Sequence, residues 1–137
     1  MTSELKIQNQ IMDDARKLRT DVFAMKMSHH FMSGIPDLII KVPGYDVILV
    51  EVKRGEMGVD GMVKVNTTAL QRQTMKVMEE SGLRVEVWVA IEDEKEMCML
   101  RTVPEATRVV CRLDRLPHRK RGIGWQIEDF LNNPVRN

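Results

Sequence analysis

The chain is poor in aromatic residues, poor in cysteine and close to neutral, and each shortage narrows what it can be. Phe, Tyr and Trp make up 4% of its 137 residues, so eleven methionines do part of the packing as flexible core fillers. Two cysteines, Cys98 and Cys111, cannot make a disulfide framework. With no basic–apolar leader they read as free thiols in a reducing compartment, and the expected location is cytoplasmic. Cys98, Cys111 and His118 fit no zinc spacing and lack a fourth ligand. No apolar run approaches the roughly 18 residues of a membrane span, and no glycine-rich loop of the P-loop or Rossmann type occurs. A formal net charge of +1 gives no global argument for a polyanionic partner.

What is present reads as one globular domain, residues 1–137, with 43% hydrophobic and 30% charged residues. A chain of this size buries about two thirds of its unfolded surface without a staple. Charge is unevenly placed. Residues 108–121 carry Arg108, Arg112, Arg115, Arg119, Lys120 and Arg121 against Asp114, whereas residues 79–96 are mainly acidic. The basic segment suits either phosphate neutralisation or an ordinary solvated loop.

Periodicity orders the chain. "SELKIQNQIMDDARKL" repeats Ile7, Ile11, Ala15 and Leu18 at helical spacing behind a Ser3 cap. Glu4 shares the inward face of Ile7 and Ile11, or else serves as a first-turn acid favouring the helix dipole. "VFAMKM", "IPDLIIKV" and "DVILVEVK" are strands, with "VPGYD" as a turn between the last two. Residues 55–67 read as a long loop. "TALQRQTMKVMEESG" is a helix capped by Thr68 and stopped by Gly82, with Leu70, Thr74, Val77 and Met78 as its inner face. "LRVEVWVAI" is a further strand. "EMCMLRTV", "TRVVCRL" and "QIEDFLNN" suggest two more strands and a closing helical turn. The expectation is a mixed α/β domain, helices covering a central sheet.

Residues 34–55, "GIPDLIIKVPGYDVILVEVKRG", set charged groups among buried-strand residues. In an antiparallel hairpin centred on Gly44, facing residues have numbers that sum to 88, so Asp37 faces Glu51 with Cβ atoms about 5 Å apart. Lys53, two residues on, shares their face. Two such carboxylates repel by about 4 kcal/mol at an effective dielectric of 20. A shared proton, the lysine ammonium or a bound cation must offset this. Mg²⁺ favours one or two carboxylates plus waters, so two acids and a lysine on one face suit metal-dependent phosphodiester hydrolysis. The alternative is a structural ion cluster. The apolar surroundings weigh against that, since burying ions costs desolvation, and Pro36 removes a backbone donor just before Asp37.

Pro36-Asp37, followed fourteen residues after the Asp by Glu51-Val52-Lys53, resembles the PD-(D/E)XK nuclease signature. "SGIPDLII", "ILVEVKRG" and "LQRQ" together resemble the virus-type replication-repair nuclease (VRR-NUC) branch, over residues 4–91. The resemblance implies a restriction-endonuclease-like core over residues 3–91, with a mixed sheet of about four strands flanked by helices, and a C-terminal extension over 92–137. It implies Mg²⁺-dependent cleavage of DNA, with Mn²⁺ able to substitute. Asp37, Glu51, the Val52 carbonyl and Glu4 would serve the metal, Lys53 the attacking water, and Gln71 would line the site. Gln71 also completes a capping box with Thr68. Single-domain members of the family resemble Holliday junction resolvases, which implies branched or replication and repair intermediates as substrates and a homodimer. If the chain is virus-encoded, the compartment would be the host-cell cytoplasm.

Further candidates for DNA contact are His30 (beside His29), Arg54 and Lys64, each also readable as an exposed polar residue, and Arg119, Lys120 and Arg121, whose run could instead help a dimer form. Rival functions are a restriction-type duplex nuclease and a non-catalytic DNA-binding subunit of the same fold. A duplex nuclease needs base-reading elements for which the chain has little room. A non-catalytic subunit would not be expected to keep Asp, Glu and Lys intact.

Overall fold

The structure, a computed structural model, describes residues 3–18, 20–27, 34–93, 96–110 and 124–133. Helix α1 (Glu4–Leu18) leads into strands β1 (Phe23–Lys26), β2 (Leu38–Lys41) and β3 (Ile48–Gly55). A short strand β4 (Met62–Lys64) precedes helix α2 (Ala69–Glu80). Strands β5 (Arg84–Asp93), β6 (Glu96–Thr102) and β7 (Arg108–Val110) and helix α3 (Gly124–Asn132) follow.

Five strands form the main sheet, in the order β1-β2-β3-β5-β6, one more than the four expected. β3 and β5 run parallel and the other neighbours antiparallel. The parallel pair needs a crossover, which β4 and α2 supply. This is a mixed α/β sheet with helices on both faces, consistent with a restriction-endonuclease-like fold.

Strand alternation divides the core in two. Leu38, Ile40, Val50, Val52 and Trp88 point to the face covered by Ile7, Ile11 and Ala15 of α1 and by Ile127, Phe130 and Leu131 of α3. Leu49, Val85, Val87, Val89 and Ile91 point to the other face, under Met75 of α2 and Val63 of β4.

Two expectations change. The segment expected as loop, residues 55–67, holds β4, which pairs with β7 as a separate two-stranded ribbon. Within the expected "TRVVCRL" strand, Arg108–Val110 supply that partner. On α2 the buried residue is Met75, while Leu70 and Val77 are 50% and 60% exposed. Thr74 and Met78 are half-buried as expected, so the inner face runs through residues 71, 74, 75 and 78.

The sheet edges are closed by side chains. Arg16 of α1 donates to the Ala24 carbonyl on β1 at 2.7 Å. Gln126 of α3 accepts from the Met99 amide of β6 and donates to its carbonyl, both at 3.0 Å, as a strand would. Glu86, 2% exposed, accepts from Arg84 and from the Trp88 indole at 2.7 and 3.0 Å. Arg84 and Arg101 donate in turn to the carbonyls of Phe130 and Asn133, which fastens the end of α3 to the sheet. Among the described residues no helix is long and apolar enough to cross a membrane.

Candidate active site

The hairpin has the expected register. Leu38 pairs with Val50, Ile39 with Leu49 and Ile40 with Ile48, so one further step sets Asp37 against Glu51. β2 begins at Leu38, whereas β3 runs on to Gly55. Two chain features keep β2 short. Pro36 has no N–H to give a ladder, and Gly34, at φ 87, turns the chain onto α2. A Cβ at Gly34 would come within 2.7 Å of Thr74 Oγ1 and 3.1 Å of the Leu70 carbonyl, so only glycine lets this segment lie on the helix.

Where β2 is missing, carboxylates take its place along β3. The Val52 amide donates to Asp37 Oδ2 at 2.9 Å, and the Arg54 amide donates to Glu4 Oε2 at 3.0 Å. A strand residue turns its N–H and C=O to the same edge, so the Val52 carbonyl opens on the edge that Asp37 occupies.

Glu51 is 2% exposed. Its Oε2 meets Lys53 Nζ at 3.3 Å and accepts from Gln71 Nε2 at 3.1 Å. Burial pushes its carboxyl up to about 8; the nearby Asp37 charge and a hydrogen bond with Asp37 add to the rise, and Lys53 opposes it. The lysine ammonium is therefore one of the three offsets anticipated for the paired acids, and the upward shift of Glu51 favours a second, a proton shared with Asp37.

Gln71 bonds both the helix cap and Glu51. Thr68 Oγ1 accepts from the Gln71 amide at 3.1 Å and Gln71 Oε1 accepts from the Thr68 amide at 2.9 Å, a complete capping box. With Oε1 committed to the cap, the NH₂ end is the one that faces Glu51. The N-terminus of α2 thus lies at the carboxyl end of β3, the usual place for ligands in open α/β sheets.

Among the described residues no three His, Cys, Asp or Glu side chains converge on one point. Glu4 lies two residues farther along the β3 edge than Val52 and does not join Asp37 and Glu51 in a cluster. A cation here would take two carboxylates, a backbone carbonyl and water, a donor set that fits Mg²⁺ or Mn²⁺.

Arg54 and Lys64 line a groove of about 470 Å³ that starts one residue past Lys53 and is shared with Glu56 and Asn66. His29, His30, Arg119, Lys120 and Arg121 lie outside the described residues. Sequence reasoning missed Gly34 as the contact between the Asp37 segment and α2, although its place two residues before Pro36 was a signal. Arg108 was read only as part of a basic segment, and its place opposite Lys64 across the ribbon was not foreseen.

No protein-family model matches this chain, and no curated protein matches it. Among solved structures it is similar to Archaeoglobus fulgidus Hjc, a Holliday junction resolvase from an archaeal hyperthermophile. The TM-score is 0.48 and the identity 15%, over 77% of this chain and 85% of that one. What this chain does must therefore be argued from its own side chains.

Proposed function

We propose that this chain is a divalent-metal-dependent endonuclease of the PD-(D/E)XK kind, acting on DNA. The observation that carries the reading is the opposition of Asp37 and Glu51 across the β2–β3 register, with Lys53 3.3 Å from Glu51. An apolar core that retains this arrangement favours a cation at the paired acids.

Asp37, Glu51 and the Val52 carbonyl would hold Mg²⁺ or Mn²⁺, which supplies charge neutralisation at the phosphate and lowers the pKa of water. The chain's own groups do the rest. The Val52 amide fixes Asp37 Oδ2. Gln71 and Lys53 both hold Glu51 at Oε2, which fixes the carboxylate in place. The Lys53 ammonium, on the same face, orients the attacking water and stabilises negative charge developing on the phosphoryl oxygens. A bond forms between water oxygen and phosphorus as a phosphodiester P–O bond breaks.

Within this reading we assign the chain to the VRR-NUC branch, as one nuclease domain, with branched replication or repair intermediates as substrates. The described elements are the sheet, its covering helices and one short ribbon, which leaves little for base-specific readout of plain duplex. Two cuts in a four-way junction call for two sites, hence a homodimer.

The test is cleavage of labelled single strand, duplex, flap and four-way junction with Mg²⁺ or Mn²⁺, using wild type and Asp37→Ala. Cutting of branched DNA by wild type alone supports the reading. Site-defined cutting of duplex would move it to a restriction-type enzyme. Binding without cutting in either metal would leave a non-catalytic DNA-binding subunit.

A further inference from the structure

The ribbon beside the site carries a charge pattern that its own fold does not explain. β4 and β7 pair in the register Met62–Val110, Val63–Val109 and Lys64–Arg108. Val63 faces inward and is fully buried, and Val109 packs against the same cluster. By alternation Lys64 and Arg108 sit directly opposite each other on the outer face, and both are exposed. Like charges opposed across a ladder destabilise it. Among the described residues neither cation has an acidic partner within ion-pair distance. A three-residue ribbon has little stability to spare for such a pair.

The ribbon's position gives the pair a use. Lys64 lines the groove that also contains Arg54, the residue after Lys53, and the Asn66 amide. The groove is close to the site because Gly55 has no side chain: a Cβ there would collide with Val63 and Val89. Arg54, Lys64 and the Asn66 amide therefore share one groove lining, in which Glu56 is the one acid, and Arg108 adjoins it across the ribbon from Lys64. Guanidinium, ammonium and carboxamide groups spaced along a groove suit the phosphates of a nucleic-acid strand.

We propose that the outer face of the β4–β7 ribbon and the groove below it form a phosphate-binding track, with Lys64 and Arg108 clamping the backbone of the strand whose neighbouring phosphodiester lies at Asp37 and Glu51. The track rests on the nuclease reading for its role in catalysis, but its binding of DNA is measured independently of any cutting. The opposed cations are tolerated because a phosphate between them converts repulsion into two charge-assisted hydrogen bonds.

The experiment uses the full chain in EDTA, with anisotropy of a fluorescein-labelled four-way junction recorded from 50 to 200 mM NaCl. Lys64→Glu and Arg108→Glu are compared with Lys17→Glu, a reversal on α1. Each ribbon reversal should weaken binding by roughly five- to tenfold at the lower salt and reduce the salt slope by about one. Lys17→Glu should do neither. Thermal midpoints provide a second readout: Lys64→Glu places opposite charges across the ladder, so its midpoint should hold or rise while binding falls. Wild-type affinity and slope in a Lys64→Glu/Arg108→Glu double variant would overturn the proposal, as would equal losses in Lys17→Glu. Cleavage by Asp37→Asn at the wild-type rate would instead sink the nuclease reading and leave the track to be judged by its own binding data.

Discussion

Replacing Glu51 by Gln should make the protein more stable in alkaline solution, although it removes a residue of the proposed site. Glu51 titrates at about 8 in the fold against an ordinary value of 4.5. Between those pH values the folded chain holds a proton that the unfolded chain has released. Stability from this residue is thus fully present below about 4.5, falls as pH rises, and is gone above about 8. The whole span corresponds to an upper limit on the order of 5 kcal/mol, and water entry around the ion pair should leave about half of it. Urea denaturation of wild type and Glu51→Gln at intervals from pH 5 to 9, without divalent metal, isolates the effect as a difference between the curves. The variant should gain on wild type by about 2–3 kcal/mol across that range. A difference that stays constant with pH, or a wild type that gains on the variant as pH rises, would refute the shared-proton account. Saturating Mg²⁺ should flatten the wild-type curve above neutrality, because a cation replaces the proton.

Other consequences follow from the same geometry. Gly34→Ala must adopt a positive φ and push against Thr74 and the Leu70 carbonyl, so it should cost about 1–3 kcal/mol in urea denaturation and weaken Mn²⁺ binding read by calorimetry. Gln71→Glu keeps the acceptor for the Thr68 amide but sets a third carboxylate beside Glu51. Helicity by circular dichroism should hold while Mn²⁺ affinity changes, whereas Gln71→Ala should lose about 1 kcal/mol of cap as well. Glu86→Ala strands the guanidiniums of Arg84 and Arg101, so urea denaturation should show a loss of about 3 kcal/mol or more. If that variant keeps wild-type stability, Glu86 does not fasten α3.

Much of the site was legible because hairpin geometry is local. A turn centred on Gly44 fixes facing residues by arithmetic, so the Asp37–Glu51 opposition needed no tertiary information, and the long apolar strands identified themselves. What the sequence hid depends on distant chain. β4 is three residues long and its partner β7 begins 44 residues after it; no periodicity test detects a strand of that length, and residues 55–67 looked like loop. The inner face of α2 was misassigned in part, because Leu70 and Val77 are apolar yet exposed, whereas the fully buried residue is Met75. Glu86 was counted only as one member of the acidic segment 79–96. Its neighbours Val85, Val87 and Trp88 marked a buried strand, but the two arginines that compensate it come from two strands. Glu4 was recognisable by its position on the inner face of α1, whereas its acceptance of the Arg54 amide depends on where β2 ends.

The amide of residue 71 has a consequence for how this chain can vary. Its oxygen helps define where α2 begins and its nitrogen holds the buried acid, so two otherwise separate decisions are encoded in one side chain. Asn would be too short to serve both, Glu would keep the helix start and lose the donor, and Lys would keep a donor and lose the cap. The first turn of a helix is ordinarily permissive; here drift at one position would alter the folding signal and the chemistry together. Residue 71 is therefore overdetermined, and its readable role as a helix start conceals the second role from any analysis that considers one level of structure at a time.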